Sequence, residues 1–215
     1  MEPFVRLQAV AAPYDFANVD TDRIIPARFL RYARSAEYAS YLFRDVRYAK
    51  DGTPRADFFL NRPEYASARI LVAAENFGCG SSREGAVWAL AEAGFRAWIA
   101  PSFGEIFHEN TFKNGLLPVT LPAERVARIR AVLAAKPGSE LTIDLPSQTI
   151  AVPGGGVEPF EIDAFRKECL LNGWDDIDLT LKHEAAIAAY ESRQRAETPW
   201  LAGNPGQVPF SGRTS

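Results

Sequence analysis

A short glycine-rich stretch, Glu75–Gly85, carries hydroxyl and charged side chains that could do chemistry. It follows an apolar run, Arg69–Ala74, which is typical of a buried strand, and it precedes a segment with helical spacing. Ser81 and Glu84 have the spacing of a capping box, so we expect Ser81 to cap that helix. The free amide groups of the helix end and the Arg83 guanidinium would together bind a carboxylate or a phosphate.

The same spacing also has a purely structural interpretation. Every α/β protein needs well-capped turns between strands and helices, and a glycine-rich turn with a cap is weak evidence for a ligand. What favours a site is the position of the turn, because ligands of open parallel sheets bind beyond the carboxyl ends of the strands. The residue types alone leave both interpretations open.

Three further groups could take part in chemistry. Asp20–Pro26 places two acids and an arginine before an apolar pair, which suits either a solvated loop or half of a site. Cys79 lies in the glycine-rich turn, where a helix N-terminus would stabilise a thiolate, but the sequence offers it no obvious histidine partner. His108 is more simply explained as a structural helix histidine, because no triad order surrounds it.

Composition argues against several classes of function. The 215 residues include 24 Lys and Arg against 27 Asp and Glu, so the chain lacks the basic excess of a protein that binds nucleic acid or anionic membranes. Two cysteines, Cys79 and Cys169, are too few to hold a zinc ion or an iron–sulfur cluster unaided, so we expect no metal site on this chain. Because no apolar run has the length of a membrane span and the start does not resemble a signal peptide, we expect a cytoplasmic protein.

The elements that must position these residues alternate between strands and helices. Strands are predicted at Phe4–Val10, Arg69–Ala74, Arg96–Ala100, Leu116–Leu121, Glu140–Leu145 and Gln148–Val152. Helices are predicted at Ser82–Ala93, Ser102–Asn114 with Ser102 as its cap, Pro122–Ala135 and Asp178–Arg195. The alternation from residue 69 onward indicates an α/β fold with a parallel sheet core.

The chain is expected to form one domain with a tail. Residues 1–197 hold the alternating elements, whereas residues 198–215 are rich in proline, glycine and serine and are predicted to be a C-terminal tail. The Gly154–Gly156 run is predicted to be a flexible break, and Arg28–Tyr48 a mixture of helix and loop.

Five stretches, taken together, resemble the family of 3-isopropylmalate dehydratase small subunits, which are swivel-domain relatives of aconitase. In chain order they are Asn18–Pro26, Asn76–Glu84, Ala100–Phe107, Asn114–Val119 and Leu170–Asp175. They occur in family order over most of the chain, and the Gly-Ser-Ser-Arg-Glu core is shared across the aconitase superfamily. The resemblance therefore implies an α/β fold of the aconitase type, a swivelling β/β/α domain.

The resemblance also implies roles for individual residues. Ser81 matches the serine that takes the proton α to a carboxylate, and Arg83 matches the arginine that binds a substrate carboxylate. Asp22 matches an acid that lines the active site, and Ser82 and Arg31 are likewise expected to bind substrate. A free serine is a poor base, so its role requires a cation and helix-terminal amide groups near the hydroxyl.

The activity implied by the resemblance is that of a hydro-lyase. It interconverts 2-isopropylmalate and 3-isopropylmalate by removing and re-adding water, a step of leucine biosynthesis. In this family the [4Fe–4S] cluster is held by a large subunit on three cysteines of its own, and that subunit joins the small one in a heterodimer or heterotetramer. The expected partners are therefore the large subunit and a small dicarboxylate substrate, with no nucleic acid and no membrane.

One departure from the family pattern leaves the exact substrate open. Residues 27–38 belong to the loop that contacts the variable substrate group, and they lack the glycine that typical members have there. We expect the apolar side chains of this loop to line the pocket and its arginines to face solvent; otherwise the substrate is more polar. The apolar set is Phe29, Leu30 and Tyr32, and the arginines are Arg28, Arg31 and Arg34.

Two alternative functions follow. The chain could be a sister hydro-lyase subunit that acts on another substituted malate with the same chemistry. It could also be a non-catalytic swivel-domain module that binds a partner or RNA, although the net charge of −3 and the presence of Ser81 and Arg83 weigh against this.

A smaller departure from the family pattern is Gly85, which stands where many members have a histidine.

Overall fold

The computed structural model describes residues 1–154 and 156–201. The chain divides into two compact units, Met1–Asp175 and a second that begins at Asp176. The tail predicted at residues 198–215 falls in the second unit, and its residues 202–215 lie outside the described residues.

The first unit is an α/β structure. Its described strands are β1 (Arg6–Tyr14), β2 (Ile70–Ala73), β3 (Ala97–Ala100), β4 (Leu117–Thr120), β5 (Glu140–Asp144), β6 (Thr149–Val152) and β7 (Gly156–Pro159). Its described helices are α1 (Thr21–Ile24), α2 (Tyr38–Tyr41), α3 (Arg44–Arg47), α4 (Glu84–Glu92), α5 (Glu105–Lys113), α6 (Ala123–Ala135) and α7 (Ala164–Asn172). Short 3-10 turns occupy Ala27–Phe29, Phe59–Asn61 and Pro63–Tyr65.

The second unit is helical where it is described. It holds α8 (Asp176–Leu181), α9 (Glu184–Glu197) and a 3-10 turn at Pro199–Leu201. The helical region predicted at Asp178–Arg195 is confirmed, but it consists of two helices, because the chain leaves helical geometry at His183, whose φ is −105°. Within the described part of the chain, no helix is long and apolar enough to span a bilayer.

Seven strands of the described residues form one sheet in the order β4-β3-β2-β1-β5-β6-β7. The first four strands are parallel, as the alternation predicts, and β5, β6 and β7 continue the sheet antiparallel. Strand β1 is longer than predicted because its two halves have different partners, β5 for residues 6–10 and β2 for residues 11–14. The predicted break at Gly154–Gly156 is wrong at its last residue, because Gly156 begins β7 and pairs with Val152.

Alternating side chains of the parallel strands face two apolar layers, one on each side of the sheet. In β2, Leu71 and Ala73 belong to the layer that α4 covers, whereas Ile70 and Val72 belong to the layer that α6 covers. This follows from the period of two in a strand, and it explains why a fully buried strand is apolar throughout. The α4 layer also receives the aromatic side chains of the segment before β2, including buried Tyr38 and Phe43.

Candidate functional site

Three loops lie side by side beyond the carboxyl ends of β1, β2 and β3. A parallel bridge between Asp20 and Cys79 joins the first loop to the second, and a bridge between Phe77 and Phe103 joins the second to the third. These loops are three of the five stretches on which the family resemblance rests. The edge of a parallel sheet where they meet is the position at which such sheets bind ligands.

Two glycines make the close approach of the second and third loops possible. A Cβ on Gly104 would lie 2.4 Å from the carbonyl oxygen of Gly78, and a Cβ on Gly78 would lie 2.2 Å from the ring of Phe107. Gly78 also has a φ of +74°, in the left-handed region that favours glycine. Both residues therefore allow backbone to pack directly against backbone or ring beneath the candidate site.

The helix after the glycine-rich turn begins later than its spacing predicts. Helix α4 starts at Glu84 with Arg83 in the N-cap position, and no side chain caps it. The prediction that Ser81 caps this helix is therefore wrong. Thr21 donates a hydrogen bond from Oγ1 to the Ser81 carbonyl at 2.9 Å, which holds the chain in an extended turn for two more residues.

Glu84 does not reach back to the turn as a capping box requires. Its carboxylate instead accepts a hydrogen bond from Asn114 Nδ2 at 2.9 Å. Asn114 Oδ1 in turn accepts from Arg34 Nη1 at 3.0 Å. This network brings the fourth family stretch, Asn114–Val119, to the start of α4, whereas the fifth, Leu170–Asp175, holds the chain's N-terminus through a bond from Met1 to the Gly173 carbonyl.

Arg83 and Asp22 form an ion pair at the mouth of the site. The Arg83 side chain is 16% exposed and the Asp22 side chain is 55% exposed, so the guanidinium lies beneath the carboxylate. The Ala27 N–H also donates to Asp22 Oδ1 at 3.2 Å. The hydrogen bond from Arg83 is the main reason why the pKa of Asp22 lies below its ordinary value.

The predicted site residues Ser81, Ser82, Arg83 and Asp22 are thus brought together by the loops after β1 and β2. The hydroxyls of Ser81 and Ser82 are exposed and have no hydrogen-bond partner within residues 1–154 and 156–201. Arg31 is not joined to this group by any described hydrogen bond or ion pair. Its guanidinium lies 5.0 Å from the centre of the Tyr32 ring and donates to the Tyr32 hydroxyl at 3.0 Å.

The other two arginines of the loop after Pro26 are paired with carboxylates on the surface. Arg28 forms an ion pair with Asp45 and Arg34 forms one with Glu92, and all four side chains are partly exposed. This placement agrees with the expectation that these arginines face solvent. It leaves Arg31 as the one arginine of this loop with no described carboxylate within ion-pair distance.

The apolar side chains of the same loop pack against the body of the first unit. Phe29 stacks on Tyr41 with ring centres 4.3 Å apart, and Tyr32 lies 5.8 Å from the same ring. Leu30 occupies the space in front of Gly85, where an added Cβ would lie 2.6 Å from Leu30 Cδ2. Glycine at position 85 therefore lets this loop pack directly on the first turn of α4. That these apolar residues line a substrate pocket stays a prediction.

Sequence reasoning missed a set of exposed hydrogen bonds that joins the three loops of the site. Asn76 donates from Nδ2 to Asn18 Oδ1 at 2.8 Å, and its N–H donates to Ser102 Oγ at 2.8 Å. The prediction that Ser102 caps α5 is wrong, because its hydroxyl accepts this bond and the helix begins at Glu105. A signal was present, since asparagine at the end of a strand is one of the few residues that readily adopt the left-handed φ seen at both Asn18 and Asn76.

Two groups considered for chemistry have surroundings that do not suit it. Burial and the nearby Asp20 carboxylate raise the pKa of the Cys79 thiol, which is the opposite of activation. Burial lowers the pKa of His108, whose ring lies between Phe103 and Phe112 with ring centres 5.7 and 5.0 Å away. Among the described residues, no three His, Cys, Asp or Glu side chains come together as a potential metal site.

Family models match most of the chain. The model of the aconitase C-terminal domain matches residues 1–124, and a model described as LeuD_N matches residues 127–164. The model of the C-terminal domain of the 3-isopropylmalate dehydratase small subunit matches residues 176–204. The first of these matches contains all three loops that form the candidate site.

Proteins similar to this chain over most of its length are named as 3-isopropylmalate dehydratase small subunits. The 3-isopropylmalate dehydratase small subunit of Rhodospirillum centenum is 51% identical over 94% of this chain and 100% of its own length. The protein of the same name from Dinoroseobacter shibae is 49% identical over 94% and 100%. A crystal structure of 3-isopropylmalate dehydratase from Methanocaldococcus jannaschii superposes with a TM-score of 0.64 at 28% identity, covering 86% of this chain and 99% of that one.

Proposed function

The chain belongs to the family of 3-isopropylmalate dehydratase small subunits, and from that premise we propose that it supplies half of the active site of a hydro-lyase. The recognition of this family and of its aconitase-type α/β fold from sequence motifs is confirmed. The reaction that we propose is the interconversion of 2-isopropylmalate and 3-isopropylmalate, in leucine biosynthesis.

One observation carries the proposal for the site. The Ser81 hydroxyl is exposed and has no described hydrogen-bond partner, on the same turn as an arginine that a carboxylate holds in place. A hydroxyl without a partner is available to a substrate, and a guanidinium held by Asp22 is already oriented. Because no side chain caps α4, the amide groups at its start are also left to an anion.

These groups suit removal of a proton next to a carboxylate. We assign to Ser81 the removal of the proton from the carbon α to that carboxylate, and to Arg83 the binding of the carboxylate itself. The cation and the helix end favour the anionic form of the serine, which a free hydroxyl does not reach at neutral pH. Ser82 is proposed to contact the substrate from the same turn, and Arg31 from the loop after Pro26.

The remainder of the site is proposed to lie on a partner. The names of the relatives imply a large subunit, and we assign the [4Fe–4S] cluster to it because the described part of this chain offers no set of metal ligands. When bound there, the cluster would supply a Lewis acid for the departing hydroxyl. The partner would also exclude water from Ser81, which is exposed in the single chain. A cytoplasmic location is part of the same proposal.

Replacement of Ser81 tests the proposal directly. In the assembled enzyme, Ser81→Ala should abolish turnover while substrate still binds, because the variant loses the base and keeps Arg83. Each tenfold loss of rate corresponds to roughly 1.4 kcal/mol in the barrier of the chemical step. Steady-state kinetics and substrate binding by calorimetry give the two readings.

A matched serine variant serves as the control. Ser147→Ala removes a hydroxyl that donates to Asp144 in the turn between β5 and β6, outside the three site loops, and it should leave kcat unchanged. Near-normal kcat in Ser81→Ala would contradict the role of Ser81. Equal losses in both variants would show that general damage, and not the missing base, lowers the rate.

Arg31, which has no carboxylate within ion-pair distance among the described residues, favours one alternative, a substrate whose variable group is more polar. A charge that loses water against an isopropyl group is costly, whereas a carboxylate or hydroxyl on the substrate would compensate it. Turnover of a panel of substituted malates separates the two cases. We expect isopropylmalate to be preferred, since the other arginines of the loop are paired, and a strong preference for a tricarboxylate would overturn that choice.

A further inference from the structure

We propose that Thr21 is a positioning residue for the catalytic turn, and that its buried hydroxyl fixes the backbone that carries Ser81. The inference rests on the proposed function, because it concerns the placement of the base in that reaction. Thr21 is the first residue of α1 and lies in the loop after β1, whereas Ser81 lies in the loop after β2. The link between them is therefore tertiary and not local.

Thr21 holds the turn at two points on either side of one glycine. Its N–H donates to the Cys79 carbonyl at 2.9 Å, and its Oγ1 donates to the Ser81 carbonyl, also at 2.9 Å. Gly80 between them has a φ of +89°, and a Cβ there would lie 3.8 Å from Thr21 Oγ1. One residue thus holds the peptide group before Gly80 and the peptide group after Ser81, and so constrains the backbone on both sides of these two residues.

Thr21 is buried, which makes its hydrogen bonds important for the stability of the turn. The residue is 2% exposed, one of very few buried polar residues in the described chain. A buried hydroxyl needs a partner, and the Ser81 carbonyl is the acceptor that this one uses. Asp20 fixes Thr21 in turn, because it caps α1 by accepting a hydrogen bond from the Arg23 N–H at 2.7 Å.

Ser81 depends on this contact more than Arg83 does. The Ser81 side chain has no described hydrogen bond of its own, so the backbone, which sets the direction of its Cβ, is what the described contacts hold in place. Arg83 is held by a different contact, the ion pair with Asp22, which does not involve the Thr21 hydroxyl although Asp22 follows Thr21 on α1. Loss of the Thr21 hydroxyl should therefore misplace the base and leave the carboxylate-binding group in position, which lowers kcat more than it raises KM.

The experiment compares three variants in the enzyme assembled with its large subunit. Thr21→Val keeps the shape and removes the hydroxyl, and it should lower kcat about 10- to 100-fold, the range expected for a displacement of the reacting group by up to about 1 Å. Its KM should change much less. Thr21→Ser restores the donor and should recover most of kcat, which a loss of packing would not explain.

The matched control is Thr111→Val on α5. Thr111 is also a buried threonine whose Oγ1 donates to a backbone carbonyl, that of Phe107 at 2.8 Å; it accepts as well from Trp98 Nε1 at 3.2 Å, and no described hydrogen bond joins it to the turn of Ser81. This variant should lower thermal stability and leave kcat unchanged. Equal loss of kcat in Thr21→Val and Thr111→Val would overturn the inference, and so would normal kcat in Thr21→Val.

Two further results separate a failure of the Thr21 inference from a folding defect and from a failure of the role proposed for Ser81. If Thr21→Val does not fold, Thr21→Cys, which keeps a weaker donor, takes its place; a partial loss of kcat supports the inference and a normal kcat overturns it. If Ser81→Ala retains activity, the proposed function of Ser81 fails first. If Ser81→Ala is inactive while Thr21→Val is normal, only the positioning role fails.

Discussion

Replacement of Gly78 by alanine tests the packing beneath the site. Two separate effects would destabilise the folded chain at this position, backbone strain and steric overlap. The backbone φ is +74°, and a Cβ would lie 2.2 Å from Cγ of Phe107 and within 2.7 Å of both neighbouring ring carbons. The ring cannot easily move away, because Phe107 is buried and packs against Phe77 and Trp98 with ring centres 5.5 and 5.7 Å away.

The two costs can be separated in magnitude. A left-handed φ costs an L-residue about 1–2 kcal/mol. Overpacking of a core by one methyl group costs about 1–3 kcal/mol more. Gly94 provides a matched comparison, because its φ is +95° and an added Cβ would have no atom within 4 Å. Gly94→Ala should therefore show the first cost alone, and Gly78→Ala should show both.

Urea unfolding of the full chain at 25 °C measures both variants. We expect Gly78→Ala to lower the free energy of unfolding by about 1–3 kcal/mol more than Gly94→Ala does. In a Phe107→Ala background, which removes the ring, the two glycine variants should become similar. If Gly78→Ala and Gly94→Ala lower the free energy of unfolding equally in the unmodified chain, the steric argument is refuted. If Gly78→Ala remains the more destabilising of the two in the Phe107→Ala background, the Phe107 ring is not the cause of the difference.

Three more predictions concern the site and the partner. Arg83→Lys should raise KM and lower kcat, because an ammonium group cannot make a two-pronged contact with a carboxylate, and unchanged steady-state kinetics would contradict the assignment. The folded-state pKa of Asp22 is lowered, so its ion pair stabilises the chain at pH values above the ordinary carboxyl pKa near 4, and this stabilisation is lost as the pH falls through the folded-state pKa. Urea unfolding at low pH should therefore show a loss of stability in the unmodified chain that Asp22→Asn lacks. The difference should be small, because the Asp22 carboxylate is half exposed. The chain purified alone should contain no stoichiometric iron and show no dehydratase activity, and both should appear with the large subunit; iron in the isolated chain would contradict the division of the site.

The central strands could be predicted from the sequence to within one or two residues. β2, β3 and β4 are short apolar runs, and glycine or proline lies on both sides of β3 and of β4, so these runs could be recognised without knowledge of their neighbours in the sheet. β7 and α7 were missed because their signals are weak or tertiary. The glycine that begins β7 gives no periodic pattern, and it is a strand only because β6 offers it a pairing edge.

The helix starts near the site were predicted wrongly for a common physical reason. Capping rules consider only groups within a few residues of the helix end, and both serines that they select have partners far away in the chain. Ser102 Oγ accepts from the Asn76 N–H, and the Ser81 carbonyl accepts from Thr21. Motif spacing predicted the residues of the candidate site, but contacts between loops determine how each one is presented.

The arginines of the loop after Pro26 also have partners that their sequence neighbourhood does not show. In the sequence, Arg28, Arg31 and Arg34 make this loop strongly cationic, which disfavours an apolar substrate group. In the structure, Asp45 and Glu92 pair with two of them, and both carboxylates come from outside the loop. Arg31 has no such carboxylate within the described residues, and its guanidinium lies over the Tyr32 ring, which partly compensates the charge. Among the described residues, the loop therefore presents one arginine that has no carboxylate within ion-pair distance beside stacked aromatic rings, and this surface is compatible with the proposed substrate, which has carboxylates and an apolar branch.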